Sequence, residues 1–564
     1  MFVLPFTKEG KNMIPRFKRI SIIIISLIFA VSCTGSKEKT ADRIIIGLES
    51  DVQTLNPLFA MSASESDITE LIYLSIVGHG WDDKTGFVTS SPVLAKSIEW
   101  SKDSSSVLVT LRDDAKWSDG VNVNADDIVF SFDLYSDAKV QSRFFGTFKN
   151  FYTNPDLSID LTKTFQVISP SQFRINFKAN STPSYFDFDF PVMPKHIFEK
   201  LDRKALATSD MSFKPIGSGP YKLESWEKSQ NIKLVRNDKS FLFSGGEIKE
   251  IVFKIIPDYN SRINQFKKGE IDLTENIRPE DIDALKAEKH LSVTARKGRE
   301  YDYLGLNNIE PSAPKVKKIV PNKLFGNVNI RKAIAYALNR QTIIDEYLMG
   351  HGELMVGPIA PIYKSDLDES QKPIEFNIDE AKRLLKGEGW IDSDGDGILE
   401  KSGKKFSFTI NVPSGNPLRT FTSNILQNNL KAAGIDAKIE FLEPAVIFPK
   451  MFKGELNAWI AGWGVPIPLN LKPYWYSDKK IAGANVCNFS NKEVDLILDK
   501  LGSKIPDNER HELLKKFQKI MSDEQPVVFL FWIDNMVGFN NRIKNIPINP
   551  LGVVQKCWTW SIDK

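Results

Sequence analysis

Cysteine is scarce: Cys33, Cys487 and Cys557 are the only three in 564 residues, and none has CxxC spacing. That excludes a disulfide framework and a thiolate-built zinc site. Cys487 and Cys557 are expected as two buried free thiols, with a bond between them left open. Histidine is also sparse: His79, His196, His290, His351 and His511 stand far apart, without HExxH or other paired spacing. Each reads as an ordinary core or surface side chain, and no metal is expected. There is no GxSxG and no local Cys–His arrangement, so no catalytic residue and no cofactor is expected. Net charge is lacking too. The formal +3 is outweighed by Lys8, Lys11, Arg16, Lys18 and Arg19 against Glu9 at the N-terminus. The near-neutral remainder offers no electrostatic case for nucleic acid. No internal repeat or low-complexity segment is present, and the apolar run at residues 20–31 is too short to span a membrane comfortably.

What is present is the composition of a folded soluble protein, 42% hydrophobic and 26% charged. The length exceeds one ordinary core, so two or three domains are expected. Residues 117–132 (WSDGVNVNADDIVFSF) read as a turn at Ser118-Asp119-Gly120, a short extended piece, and a helix capped by Asn124. Asp126 and Asp127 lie in its first turn, where the dipole favours acids. Ile128, Val129, Phe132 and Tyr135 follow at helical spacing. Residues 43–48 (RIIIGL) read as a buried strand and residues 221–226 and 232–236 as a hairpin. Asn377 with Glu380 reads as a capping box, and Asp507 as the cap of a later helix. Strands alternating with helices argue for α/β lobes. The glycines of residues 215–221 are not a phosphate loop, since no Lys-Ser/Thr pair and no helix follow.

Residues 111–132 (LRDDAKWSDGVNVNADDIVFSF) resemble a characteristic block of the extracytoplasmic solute-binding proteins of ABC importers, family 5, the oligopeptide-, dipeptide- and nickel-binding type. Further blocks occur in the family's order: residues 54–57 (TLNP), 215–226 (PIGSGPYKLESW), 329–340 (NIRKAIAYALNR) and 485–495 (NVCNFSNKEVD). The resemblance covers the chain from about Ile44 onward. It implies an α/β, bilobal periplasmic-binding-protein-like fold with an inserted domain, two hinge strands, and ligand held between lobes that close around it. The expected layout is a lipoprotein signal peptide (1–33), a tether (34–42), lobe 1 in three segments (43–80, 201–303, 535–564), an inserted β-rich domain (81–200) and lobe 2 (304–534). The basic residues Arg16, Lys18 and Arg19, the apolar run and Ala30-Val31-Ser32-Cys33 resemble a lipobox, with Ala30 where the pattern usually has Leu. Lipidation at Cys33 would hold the protein to a membrane, outside the cytoplasm.

The resemblance implies a peptide or other small solute as ligand, an ABC permease as partner, and a monomer. A metal chelate or glycoside receptor, or a lipid-anchored hydrolase, are the alternatives. The candidate ligand-binding residues are Trp463 with Gly462 and Gly464, together with Asn307, Leu55 and Asn56. Glycines on both sides of Trp463 let a ligand approach the backbone. In peptide-binding relatives an Asp three residues after the matching Trp pairs with the ligand's amino group; here that place is Pro466. Residues 392–397 (DSDGDG) begin like a calcium loop, but the twelfth position is Gly403 and the glutamate, Glu400, comes at the ninth. A solvated turn is the expectation.

Overall fold

The computed structural model describes residues 42–243, 248–311 and 320–563. Its spine is an 11-stranded sheet. In chain order its strands are β1 (Arg43–Leu48), β2 (Tyr221–Glu227), β3 (Asn231–Arg236), β4 (Glu250–Ile255), β5 (Leu273–Thr274), β6 (Leu291–Leu306), β7 (Gly352–Leu354), β8 (Ser407–Pro413), β9 (Asp436–Leu442), β10 (Ala458–Gly464) and β11 (Val528–Asn540). The spatial order is β9-β8-β10-β6-β11-β5-β1-β4-β3-β2, with β7 on β11. Parallel pairs (β1 with β4 and β5, β8 with β9 and β10) mix with antiparallel ones.

Two long antiparallel strands carry the sheet from one lobe to the other. Along β6, β10 pairs with residues 300–306 alone, and along β11, β5 pairs with Gly538 and Phe539 alone. The first half of β6 and the last half of β11 therefore belong to lobe 1, the other halves to lobe 2. Their register shifts between Arg296 and Glu300. Within that bulge a Cβ on Gly298 would lie 1.7 Å from the Ile533 carbonyl oxygen, so the backbone crossing there requires glycine. The expected boundaries at 303/304 and 534/535 fall inside β6 and β11.

Residues 81–200 add a four-stranded antiparallel sheet and the helix Ala125–Ser136. They share one apolar cluster with lobe 1, which runs from Ile44 through Trp117, Phe132 and Phe190 to Trp560. The 117–132 block works in that packing. Asn124 accepts from Asp126 N and Asp127 N. Asp127, 2% exposed, accepts in return from Asn124 N, Trp117 Nε1 and Lys195 N. In lobe 2 the sheet has a core on each face. Ala458 and Ile460 point to one, Trp459 and Ala461 to the other, as strand alternation requires.

Two capping expectations are corrected. Asn377 accepts from Glu380 N, but Glu380 turns outward to Arg383, because the bidentate ion pair one turn on competes for its carboxylate. Asp507 is the first residue of its helix, after Pro506 at the cap; proline lacks a cap side chain, and Asp507 meets the positive end of the dipole instead. Cys487 and Cys557 are buried and free.

Candidate functional site

Lobe 2 presents an aromatic surface where β10 runs out. Trp459, fully buried, points into the core, and from Gly462 onward the strand begins to reach solvent. Trp463 is half-buried, edge-on to Tyr474 at 5.4 Å and to Phe452 at 6.2 Å between ring centroids. Beneath it Tyr301, Tyr303, Trp475 and Cys487 close a small recess. Gly462 is dictated by packing. A Cβ there would lie 2.4 Å from Asp302 Oδ1 and 2.7 Å from Arg419 Nη2, whose bidentate ion pair (3.0 and 2.8 Å) crosses under the strand. Burial alone would lower the Arg419 pKa, but the Asp302 carboxylate outweighs it and holds the guanidinium above its usual value. Gly464 is exposed, with nothing nearer than Glu300 Cγ at 3.8 Å from a Cβ position. At Pro466 no carboxylate stands; its carbonyl accepts from Tyr363 OH at 2.6 Å.

Lobe 1 contains a cavity of about 380 Å³ lined by Asp67, Glu70, His79, Arg143, Asp189 and Trp558, among others. Two of its acids, Asp67 and Glu70, come from the helix Ala63–Ile72, which starts in a full Ser62/Glu65 capping box. Glu65 is occupied by the N–H groups of Gln53, Met61 and Ser62, which leaves Asp67 and Glu70 to face the cavity. Burial pushes the Asp67 carboxyl well up, with Glu70 and Glu275 adding and Arg296 opposing. Burial raises Glu70 as well, against the pull of Arg143. His79 bridges Asp189 Oδ2 (2.9 Å) and Ser90 Oγ (3.0 Å) and stacks on Phe186 at 4.5 Å. Arg143 donates to the Ala60 carbonyl and Ser66 Oγ.

A hairpin forms a second bridge between the lobes. Strands Val77–Asp82 and Phe87–Pro92 carry a tip that touches lobe 2. Thr85 O accepts from Ser365 N at 3.1 Å, Lys364 Nζ donates to the Asp83 carbonyl, and Trp81 meets Tyr363 edge-on at 6.1 Å. Phe87 stacks on His511 at 6.2 Å with the Arg510 guanidinium over its face. Arg510 and His511 also both contact buried Asp366. Gly86 has φ +74 and passes so close to the Ile362 carbonyl that a side chain is excluded.

Of the residues expected to bind ligand, Trp463 and Gly464 reach the lobe 2 surface. Three others are corrected. Asn307 is fully buried; its Nδ2 donates to the Gly454 and Leu456 carbonyls and its Oδ1 accepts from Asn488, so it braces loops. Leu55 is fully buried in the lobe 1 core. Asn56, also fully buried, spends its Oδ1 on Leu58 N and its Nδ2 on Ser212. With every polar atom paired internally, these side chains have nothing left for a ligand. Cys33 lies outside the described residues. The loop at 215–221 is no anion site: Cβ atoms on Gly217 and Gly219 would sit 1.9 and 2.3 Å from the Ile72 and Leu71 carbonyl oxygens, so the glycines admit a helix C-terminus. Asp67 and Glu70 escaped the sequence reading because acids three apart on an amphipathic helix look like its solvent face.

Two lobes joined by paired strands, with an aromatic surface on one and a charged cavity in the other, define a two-lobed solute-binding protein. Residues 89–483 match the bacterial extracellular solute-binding proteins, family 5 (middle region), and the chain belongs to that family. Oligopeptide-binding protein AppA of Bacillus subtilis (strain 168) is 27% identical over 564 residues, spanning 96% of this chain and 98% of the relative. The probable D,D-dipeptide-binding periplasmic protein DdpA of Escherichia coli (strain K12) is 27% identical over 520 residues, 90% of this chain and 92% of the relative. Among solved structures, AppA from Bacillus subtilis in complex with a nonapeptide superposes with a TM-score of 0.71 at 24% identity, covering 93% of this chain and 99% of that one. NikA from Brucella suis in complex with Fe(III)-EDTA gives 0.76 at 20%, covering 92% and 100%. These likenesses establish the shared fold. Among the described residues no helix is long and apolar enough to cross a membrane.

Proposed function

We propose that this protein captures a peptide between its lobes outside the cytoplasm and delivers it to an ABC permease, without chemistry of its own. The observation that carries the reading is the end of β10, where Trp463 offers an apolar platform beside the exposed backbone of Gly464. An extended ligand can pair with such a backbone as an added strand does. Full-length similarity to two peptide-binding relatives supports the same class. The N-terminal reading adds a lipid anchor on Cys33, and the family resemblance a monomeric receptor; a diacylglyceryl group plus an N-acyl chain suffices for firm anchoring, at about 0.8 kcal/mol per buried CH₂. Native mass spectrometry of gently purified protein tests the ligand class: a co-purified peptide is expected, and a metal chelate or glycoside would replace it. Mass spectrometry of the mature N-terminus tests the anchor, where an unmodified Cys33 would sink it. Peptide uptake should fall on deletion; peptide turnover by the purified protein would point to a hydrolase.

A further inference from the structure

We propose that the loop from Asp392 to Glu400 is a calcium site on lobe 2. Asp392, Asp394, Asp396 and Glu400 each bring an oxygen to within 4.8 Å of the others, the span of a calcium shell with oxygens at about 2.4 Å. Three acidic side chains on an exposed turn would mean little. The fourth differs. Glu400 is only 9% exposed; its Oε2 accepts from Ser393 N and Ser393 Oγ at 2.9 and 3.0 Å, while Oε1 is buried without any hydrogen-bond partner. An unpaired buried carboxylate oxygen costs free energy that a cation would recover.

The local fold explains how a glutamate at the ninth position takes this place. Ile391 and Glu400 exchange backbone hydrogen bonds of 3.0 and 2.7 Å, closing the loop after eight intervening residues. The next residues turn back as a two-strand ladder, Glu400–Lys401 against Lys404–Lys405. Glu400 is thus brought over the turn rather than left beyond it. Gly395 and Gly397 take positive φ (+80 and +87), which lets the chain wrap round. Asp392 accepts from Gly395 N and Gly397 N, holding the loop curled. The charge in this structure is met by Lys405, whose Nζ touches Asp396 and lies 3.6 Å from Asp394. Its side chain is half exposed, so it is a solvent-accessible counter-ion that a divalent cation would displace. The hard all-oxygen donor set and irregular geometry favour Ca²⁺ over Mg²⁺, which demands a tighter octahedron.

The test uses chelator-treated mature protein and the metal alone. Calorimetry with CaCl₂ should show one site of about 10⁻⁴–10⁻³ M, the range of extracellular modules. Tb³⁺ should luminesce under tryptophan excitation, because Trp390 stands two residues before Asp392, and Ca²⁺ should quench it. Asp394→Asn, on an exposed position, and Glu400→Gln should each weaken binding at least tenfold. Lys405→Gln should tighten it several-fold by removing the competing ammonium. No saturable Ca²⁺ binding, or affinity unchanged in both Asp394→Asn and Glu400→Gln, overturns the proposal. An unchanged affinity in Lys405→Gln overturns the displacement step. Peptide binding is a separate readout, so failure here leaves the transport reading standing.

Discussion

Trp459 and Trp463, four residues apart on one strand, should respond in opposite ways to truncation. Trp459 is fully buried, and its Nε1 lies 3.5 Å from Tyr303 OH. Trp459→Ala should cost about 3–5 kcal/mol of stability. Trp463 keeps a face in solvent, so Trp463→Ala should cost about 2 kcal/mol of peptide binding, as interface hot spots do, with a small change in melting temperature. Calorimetry and thermal melts separate the two; a large stability loss with unchanged affinity would assign Trp463 to the core. Asp67 gives a pH prediction. Its folded pKa stands well above the ordinary 3.8, so as pH rises through that interval unfolding releases the proton first and stability falls. Asp67→Asn removes the penalty. Its melting temperature should exceed the parent's at pH 7, and the two should converge near pH ~3.5, below both values of the Asp67 pKa. A gain that persists at low pH would have another cause.

At the scale of elements, the sequence alone shows which segments are helices and strands more clearly than which of them meet. The Asn124 cap and the 221–236 hairpin are legible because capping and alternation are local. The hairpin Val77–Asp82/Phe87–Pro92 is a different matter: its importance comes from contacts with Tyr363, Ser365 and His511, some 280 to 420 residues away, and no short pattern encodes such partners. The tip is a candidate latch between lobes. Phe87→Ala removes its stacking on His511 and the Arg510 guanidinium. It should weaken peptide affinity about three- to tenfold, since aromatic pairs contribute about 0.5–1.5 kcal/mol, and leave the melting temperature nearly unchanged. An unaltered affinity would make the hairpin a static contact.

Across the whole molecule, β6 and β11 are, among the described residues, the strands of the main sheet that serve both lobes, and the bulge at Gly298 lies between their halves. A ligand shifts the balance of open and closed forms only through its different affinity for each. Small-angle scattering with saturating peptide should therefore show a smaller radius of gyration than without it. An unchanged radius, with binding verified by calorimetry, would count against closure.

The chain by itself determined the family and the alternation of α and β, because each rests on residues close together or on blocks in a recognisable order; that Cys487 and Cys557 stay unbonded came from the fold. Only the tertiary structure decided what the polar residues do. Asn56 and Asn307 look like site residues until burial and paired hydrogen bonds show them bracing loops. Asp67 and Glu70 look like a solvent face until the C-terminal segment and residues 143 and 189 meet them around one cavity. Glu400 looks misplaced until a backbone ladder carries it back over the turn. In each case the chemistry of a carboxylate or amide is set by what surrounds it, and those neighbours come from distant parts of the chain.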